Sequence, residues 1–481
     1  MKKRNILVVL LSLYMVGCST SGGGNYYQPN VYGNSEFEEY TEINERGYID
    51  PNDNPLSSFS LDSSTYAYSN LRRLINNNEY IDKNAVNIEQ MLNYFDYSYT
   101  NDTLEALSSN LELFECPWNE EHDLALISVN AKEIEISDTK NNFVFLIDTS
   151  GSMNSENKLP LFQESFRLLS DSIGENDVIS IVTYATGVRV IADGIKGSEK
   201  LNLVAAVDEL MAGGSTNGSG GIQKAYELAE KHLIDGGNNR VFIATDGDFN
   251  VGISSQGLLN EFISSKRKKD INLSVFGYGM GNTKHNTMET LATNGDGNAY
   301  YIDSLLEARK VFVDELGSTL NTVAKDSKIQ VEFNPNTVKK YRLLGYENRM
   351  LTEDQFEDSN TDAGEIGAGH TTIAMYEIEL KDNPNNEFIY KTKLRYKDSI
   401  DNLDKEIIST LSSISEVNDE LLFASAVVEF GLILRDSEYK GNSSYEHLLN
   451  LLSTLTIYDD PYKDDFKNLV NKAYNNSLLN E

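Results

Sequence analysis

Asp148-Thr149-Ser150-Gly151-Ser152 is a dense set of small oxygen donors placed where chemistry could use them. It follows the fully apolar run 143–147, which reads as a buried strand. In a parallel sheet, ligands bind in the crevice beyond the carboxyl ends of the strands. An Asp at that end, followed by hydroxyls at alternate positions, puts three oxygen ligands on one tight loop. Two further segments can join it. Gly213-Gly214-Ser215-Thr216-Asn217 precedes a helical pattern, and Thr245-Asp246-Gly247-Asp248 follows the apolar run 241–244. Donors that are all oxygen suit Mg²⁺, Ca²⁺ or Mn²⁺ and not Zn²⁺ or copper. Without a metal, the same residues would serve as helix N-caps and turns, which also favour Ser, Thr and Asp.

The elements that must hold these loops alternate along 140–320. Apolar strands are expected at 143–147, 178–184, 188–191, 241–244, 273–276 and 299–302. Helices are expected at 159–173, 201–211, 222–234, 258–268 and 305–323. This alternation specifies an α/β fold, a doubly wound, mostly parallel sheet of about six strands covered on both faces. Two-residue periodicity then takes over at 328–333, 340–346, 371–380 and 388–396, a flanking β domain. Residues 350–368 read as an acidic loop, and 416–436 and 443–476 as C-terminal helices. On the N-terminal side, 62–100 is helical in pattern, and 124–129 and 133–136 read as strands. These two strands are expected to join the β domain, which would make the α/β domain an insertion within it.

The first segment sets the compartment. Lys2, Lys3 and Arg4 precede an apolar stretch at 6–16, too short for the roughly 20 residues that span a bilayer, so it reads as a signal peptide. Met15-Val16-Gly17-Cys18 resembles the lipobox of bacterial lipoproteins. That resemblance implies acylation at Cys18, by chains such as palmitate, and an extracytoplasmic protein held at the cell envelope. Ser19 would favour the outer membrane if the cell has one. The alternative is an ordinary secretory signal with an incidental Cys18. Two cysteines, Cys18 and Cys116, exclude a disulfide framework. The expected domains are a signal peptide at 1–17, a tether and extended arm at 18–60 and an N-terminal flanking region at 61–138. The α/β domain follows at 139–324, and a β plus helical domain at 325–481.

The net charge is −33, from 41 Lys plus Arg against 74 Asp plus Glu. Such a surface argues against nucleic acid and against unassisted binding to an anionic membrane. The sequence lacks G-x-S-x-G, Walker A and H-E-x-x-H motifs, and its five histidines are scattered. A haloacid-dehalogenase-like phosphatase would need a second Asp where Ser150 stands. An enzyme is therefore not expected.

Asp148-x-Ser150-x-Ser152, Thr216 and Asp246 together resemble the metal-ion-dependent adhesion site of von Willebrand factor type A domains. The resemblance implies a Rossmann-like fold, hydroxyl ligands from the two Ser and the Thr, and Asp ligands binding directly or through water. It also implies an open position that takes a Glu or Asp from a protein partner. The divalent cation would be Mg²⁺ first, with Mn²⁺ or Ca²⁺ as alternatives. Asn93-Tyr94-Phe95-Asp96-Tyr97, Glu115-Cys116-Pro117-Trp118-Asn119, Gly364-Glu365-Ile366-Gly367-Ala368-Gly369-His370 and the stretch 429–437 resemble the YfbK-like bacterial lipoproteins over residues 50–450. Two functions follow as expectations: metal-dependent adhesion or complex assembly, or an envelope scaffold whose metal is only structural.

Among the remaining residues, Asp248 reads as a turn residue or an outlying carboxylate. Cys116 reads as a buried small hydrophobe, with no neighbouring cation to activate its thiol. The run Lys266-Arg267-Lys268-Lys269 reads as a helix C-terminus that favours cations. The sequence leaves the partner and the oligomeric state open.

Overall fold

Apolar strands that must hide both faces, and alternating strands that need hide only one, sort the described residues into three sheets. The computed structural model describes residues 40–61, 63–134, 140–215, 220–247, 256–279, 285–382, 387–456 and 460–480. Cys18, Thr216 and Asp248 lie outside the described residues. In the N-terminal part, β1 (Leu56–Ser60), α1 (Tyr66–Asn76) and α2 (Ile88–Leu92) precede the hairpin β2 (Leu107–Glu115) and β3 (Asp123–Ala131). Residues 133 and 134, expected to begin a second strand, are not extended into the sheet, because pairing ends at Ala131.

The α/β part runs β4 (Asn141–Asp148), α3 (Leu159–Ser172), β5 (Val178–Tyr184), β6 (Val188–Lys196), α4 (Lys200–Asp208), α5 (Gly221–Lys231), β7 (Asn238–Thr245) and α6 (Gln256–Arg267). It continues through β8 (Ile271–Tyr278), α7 (His285–Asn294), β9 (Ala299–Ile302), α8 (Leu305–Arg309) and α9 (Leu316–Leu320). Its six strands lie in the order β6-β5-β4-β7-β8-β9, parallel except for the hairpin partner β6. The faces are covered separately. One packs Phe145, Phe242 and Phe276 against α3 and the α8–α9 segment, and the other packs Val144, Ile243 and Val275 against α5, α6 and α7. The helix expected over 305–323 is a correction. Lys310–Asp314 is a π-helical turn, Glu315 donates its backbone N–H to Lys310 at 2.8 Å, and a strand begins at Thr322.

The C-terminal part runs β10 (Thr322–Phe333), β11 (Val338–Leu344), α10 (Glu353–Glu357), β12 (Gly364–Gly367), β13 (Thr371–Leu380), β14 (Tyr390–Asp398) and β15 (Asp404–Leu411). Helices α11 (Asp419–Leu434), α12 (Tyr445–Thr454) and α13 (Pro461–Asn480) follow. The stretch 350–368, expected as loop, thus contains a short helix and an edge strand. The single helix expected over 443–476 is two, and Pro461 opens the second, where a missing N–H costs nothing. Strand β3 pairs with β13, and β1 with β10, so chain from both sides of the α/β sheet builds one sandwich. Its sheets are β1-β10-β14-β15, with β12 on β10, and β11-β13-β3-β2. Phe59, Ile329 and Leu394 meet Leu113, Ala125 and Tyr376 between them. The outer face of the second sheet carries Phe114, Leu124, Leu126 and Met375 against α1, α2, α11, α12 and α13. Glu429 of α11 is fully buried and bonds His447 at 2.7 Å. No helix among the described residues is long and apolar enough to cross a membrane.

Candidate metal centre

Register alone brings the two carboxylates to one edge. Ile147 of β4 is level with Ala244 of the adjacent β7, so Asp148 is the next residue past that pair and Asp246 follows one residue later, after Thr245. The chain winds from β4 to β5 on one side and crosses to β7 on the other. This is the kind of switch point at which open α/β sheets bind ligands. Both carboxylates are buried, Asp148 at 0% and Asp246 at 1% exposure.

The loop after β4 is tied down by backbone. Thr149 N–H donates to Tyr184 carbonyl at 2.9 Å, Gly151 N–H to Gly214 carbonyl at 3.1 Å, and Gly213 N–H to Thr149 carbonyl at 2.9 Å. Ser150 N–H donates to Asp148 Oδ1 at 2.8 Å, and the Ser150 and Ser152 hydroxyls lie 3.0 Å apart. Ser150 is buried and Ser152 exposed, so this pair of hydroxyls runs from the interior to the surface. Gly214 has φ +83°, and a Cβ there would fall 2.3 Å from Thr186 Oγ1. The residues leading to Thr216 are thus fixed against the Asp148 loop as far as Ser215, whose N–H donates to Thr186 Oγ1 at 3.2 Å.

The electrostatics of the site come from desolvation. Burial, and then the neighbouring Asp246 charge, pushes the Asp148 carboxyl up to about 6 against the pull of its Ser150 hydrogen bonds. Tyr184, fully buried beside it, has its hydroxyl raised chiefly by burial and next by the Asp148 charge. Among the described residues, one oxygen of each carboxylate, Asp148 Oδ2 and Asp246 Oδ1, is buried without a hydrogen bond, and the Tyr184 hydroxyl beside them eases only the Asp148 charge. A buried anionic oxygen left in this state is costly unless something cationic meets it.

These donors fit a divalent cation: two carboxylates and two hydroxyls, all oxygen, with two unmet anionic oxygens in the interior. Asp148, Ser150, Ser152 and Asp246 would hold it, and a bound dication supplies a Lewis-acidic centre able to take an external carboxylate. The structure brings those four residues to one edge, while Thr216 lies outside the described residues.

Sequence reasoning missed Lys158. Its Nζ donates to Asp246 Oδ2 at 2.9 Å, and the residue is 8% exposed. A signal existed: Lys158 precedes the first turn of α3, and helix N-termini disfavour cations. A lysine kept there needs a specific anionic partner. Of the other candidates, the Cys116 thiol is buried and pushed up by that burial. Lys266 and Lys269 pair with Glu230, and Arg267 with Asp296, so these cations of the basic run are taken up on their own domain.

Comparison with known proteins bears on the fold and the family. A family model described as von Willebrand factor type A domain matches residues 142–314. One described as von Willebrand factor matches 34–126, and one described as uncharacterized protein YfbK, C-terminal, matches 318–475. The chain is 38% identical over 423 residues to the uncharacterized protein YfbK of Escherichia coli (strain K12), covering 82% of this chain and 74% of that protein. It is 27% identical over 209 residues to inter-alpha-trypsin inhibitor heavy chain H3 of Rattus norvegicus, 41% of this chain and 23% of that protein. Among solved structures, a von Willebrand factor type A protein from Catenulispora acidiphila aligns at TM-score 0.39 and 15% identity over 74% of this chain and 88% of that one. With the α/β sheet matched across its length, the C-terminal region matched separately and the identity running through both, the chain belongs to the YfbK-like family of proteins built on a von Willebrand factor type A domain.

Proposed function

We propose that the edge of the α/β sheet binds a divalent cation, Mg²⁺ first, and through it a Glu or Asp side chain of a protein partner. The role is adhesion or assembly of an envelope complex, without catalysis. The observation that carries this reading is the pair of buried carboxylates, each with one oxygen left without a hydrogen bond among the described residues. Membership of the type A domain family supports an interaction role. Beside the loop, an open cavity of about 710 Å³ runs from Thr149 along Arg189, Leu210 and Met211. Met211 is 83% exposed, so residues flanking the partner's carboxylate would meet an apolar contact there. The lipobox-like residues ending in Cys18 support a protein hung from a membrane by acyl chains, with its folded part outside the cytoplasm.

Calorimetric titration of the protein with Mg²⁺ and Mn²⁺, beside Asp148→Ala, tests the site. Binding is expected in the wild type and lost in the variant, whose far-UV circular dichroism stays unchanged because Asp148, although buried, ends β4 and its removal takes away a desolvated charge. At roughly 100 times its dissociation constant the ion should stabilise the fold by about 2.7 kcal/mol, read as a rise in melting temperature. Equal binding by both proteins would sink the proposal. Partner capture that survives chelation would leave the metal only a structural role.

A further inference from the structure

The site holds a charge that the ligand set does not explain. Lys158 arrives from the far end of the loop that begins at Asp148, and its stem crosses the end of β8. Gly279 makes room for it: a Cβ at that position, where φ is +89°, would lie 2.2 Å from Lys158 Cε. The Tyr301 hydroxyl donates to the Gly279 carbonyl and holds this backbone in place. The ammonium therefore cannot swing freely. Among the described residues it bonds one oxygen of Asp246, Oδ2, and Oδ1 stays buried without a hydrogen bond. A lysine serving only to neutralise Asp246 would leave Asp148, equally buried, without a counter-charge.

We propose that Lys158 is a fixed counter-charge that keeps a bound dication electropositive towards the partner's carboxylate. This inference rests on the metal reading of the same site. The charge count carries it. Among the described residues, Asp148 and Asp246 contribute two negative charges and would cancel a dication, leaving it no electrostatic reason to hold a third carboxylate. With Lys158 the protein side carries one negative charge, the loaded site one positive charge, and an incoming Glu or Asp brings the whole to zero. In a buried setting such charges are weakly screened, so one unit decides the outcome. Lys158 thus weakens the hold on the metal and strengthens the hold on the partner. It also anchors Asp246 when no ion is present.

Full-length protein, Lys158→Met and Lys158→Gln are titrated with Mn²⁺ by electron paramagnetic resonance, with Asp148→Ala as the site control and circular dichroism as the fold control. Both lysine variants should bind Mn²⁺ more tightly than the wild type, on the order of tenfold or more. Their Mn²⁺-loaded forms should bind acetate, a minimal carboxylate, more weakly. Glutamine can still donate a hydrogen bond to Asp246. If Lys158→Gln restores the wild-type affinities while Lys158→Met does not, the lysine acts as a hydrogen-bond donor and the inference falls. It also falls if both variants titrate like the wild type while Asp148→Ala binds nothing, and the metal reading then stands. If no protein of the set binds Mn²⁺, the metal reading fails and takes this inference with it.

Discussion

At the residue scale, the candidate site depends on backbone positions as much as on its oxygen donors. Gly214 is held at φ +83° with Thr186 Oγ1 where a Cβ would go. An L side chain in the left-handed region costs about 1–2 kcal/mol, and the clash adds to it. Gly214→Ala should lower the urea midpoint and weaken Mn²⁺ binding, and adding Thr186→Ala should recover only the steric part. Full recovery in the double variant would show that the conformation itself costs nothing. Asp148, Ser150, Ser152 and Asp246 were legible in the sequence because residue type and position after an apolar strand both pointed to a cation. Lys158 was not, because a lysine is no metal ligand and its partner lies 88 positions away in the chain. Its meaning appears only when β4 and β7 are side by side.

At the element scale, long apolar strands and amphipathic helices were readable, and short or polar elements were not. Strands β1, β2 and β15 went unread because Ser, Asn and charged residues dilute their pattern. Pairing with β10, β3 and β14 makes them strands, the usual override of weak local preference. The hairpin β2–β3 carries a fault of its own. Glu115 and Asp123 stand directly opposite, like charge against like charge. Burial, with Glu115 adding to it, pushes the Asp123 carboxyl up to about 6. The sign follows: a carboxyl raised on folding destabilises the folded state when ionised. The cost is absent below the unfolded value near 4, grows through about 6 and is complete above it. Asp123→Asn should therefore raise the melting temperature at pH 7 and leave it unchanged near pH 3.5. An equal rise at both values would place the effect in packing instead of charge.

At the scale of the whole molecule, the question is whether the α/β sheet unfolds alone or with the sandwich and helices that its flanking chain builds. A buried network argues for together. Arg72 of α1 pairs with Asp303, which follows β9, and its Nη2 lies 2.8 Å from Glu307 of α8. Its Nη1 lies 3.5 Å from Asp465 of α13. The Tyr94 hydroxyl donates to the same Glu307 oxygen at 2.9 Å. Burial pushes the Glu307 carboxyl up to about 7, and Arg72 is the cation that opposes this. One side chain thus joins the N-terminal helix, the segment that follows the last strand of the α/β sheet and the C-terminal helix. Removing it strands Asp303 and Glu307 without a counter-charge, a change that typically costs about 3–5 kcal/mol. The single tryptophan, Trp118, is buried in the core shared by the sandwich and the helices, so its fluorescence reports on that part alone. Far-UV circular dichroism reports on every helix. In wild-type protein the two signals should fall at one urea midpoint. In Arg72→Ala the circular-dichroism transition should broaden and move to lower urea, away from the tryptophan signal, as the α/β sheet loses its tie. Coincident transitions in the variant would mean that the backbone crossings at β3–β4 and α9–β10 couple the parts by themselves.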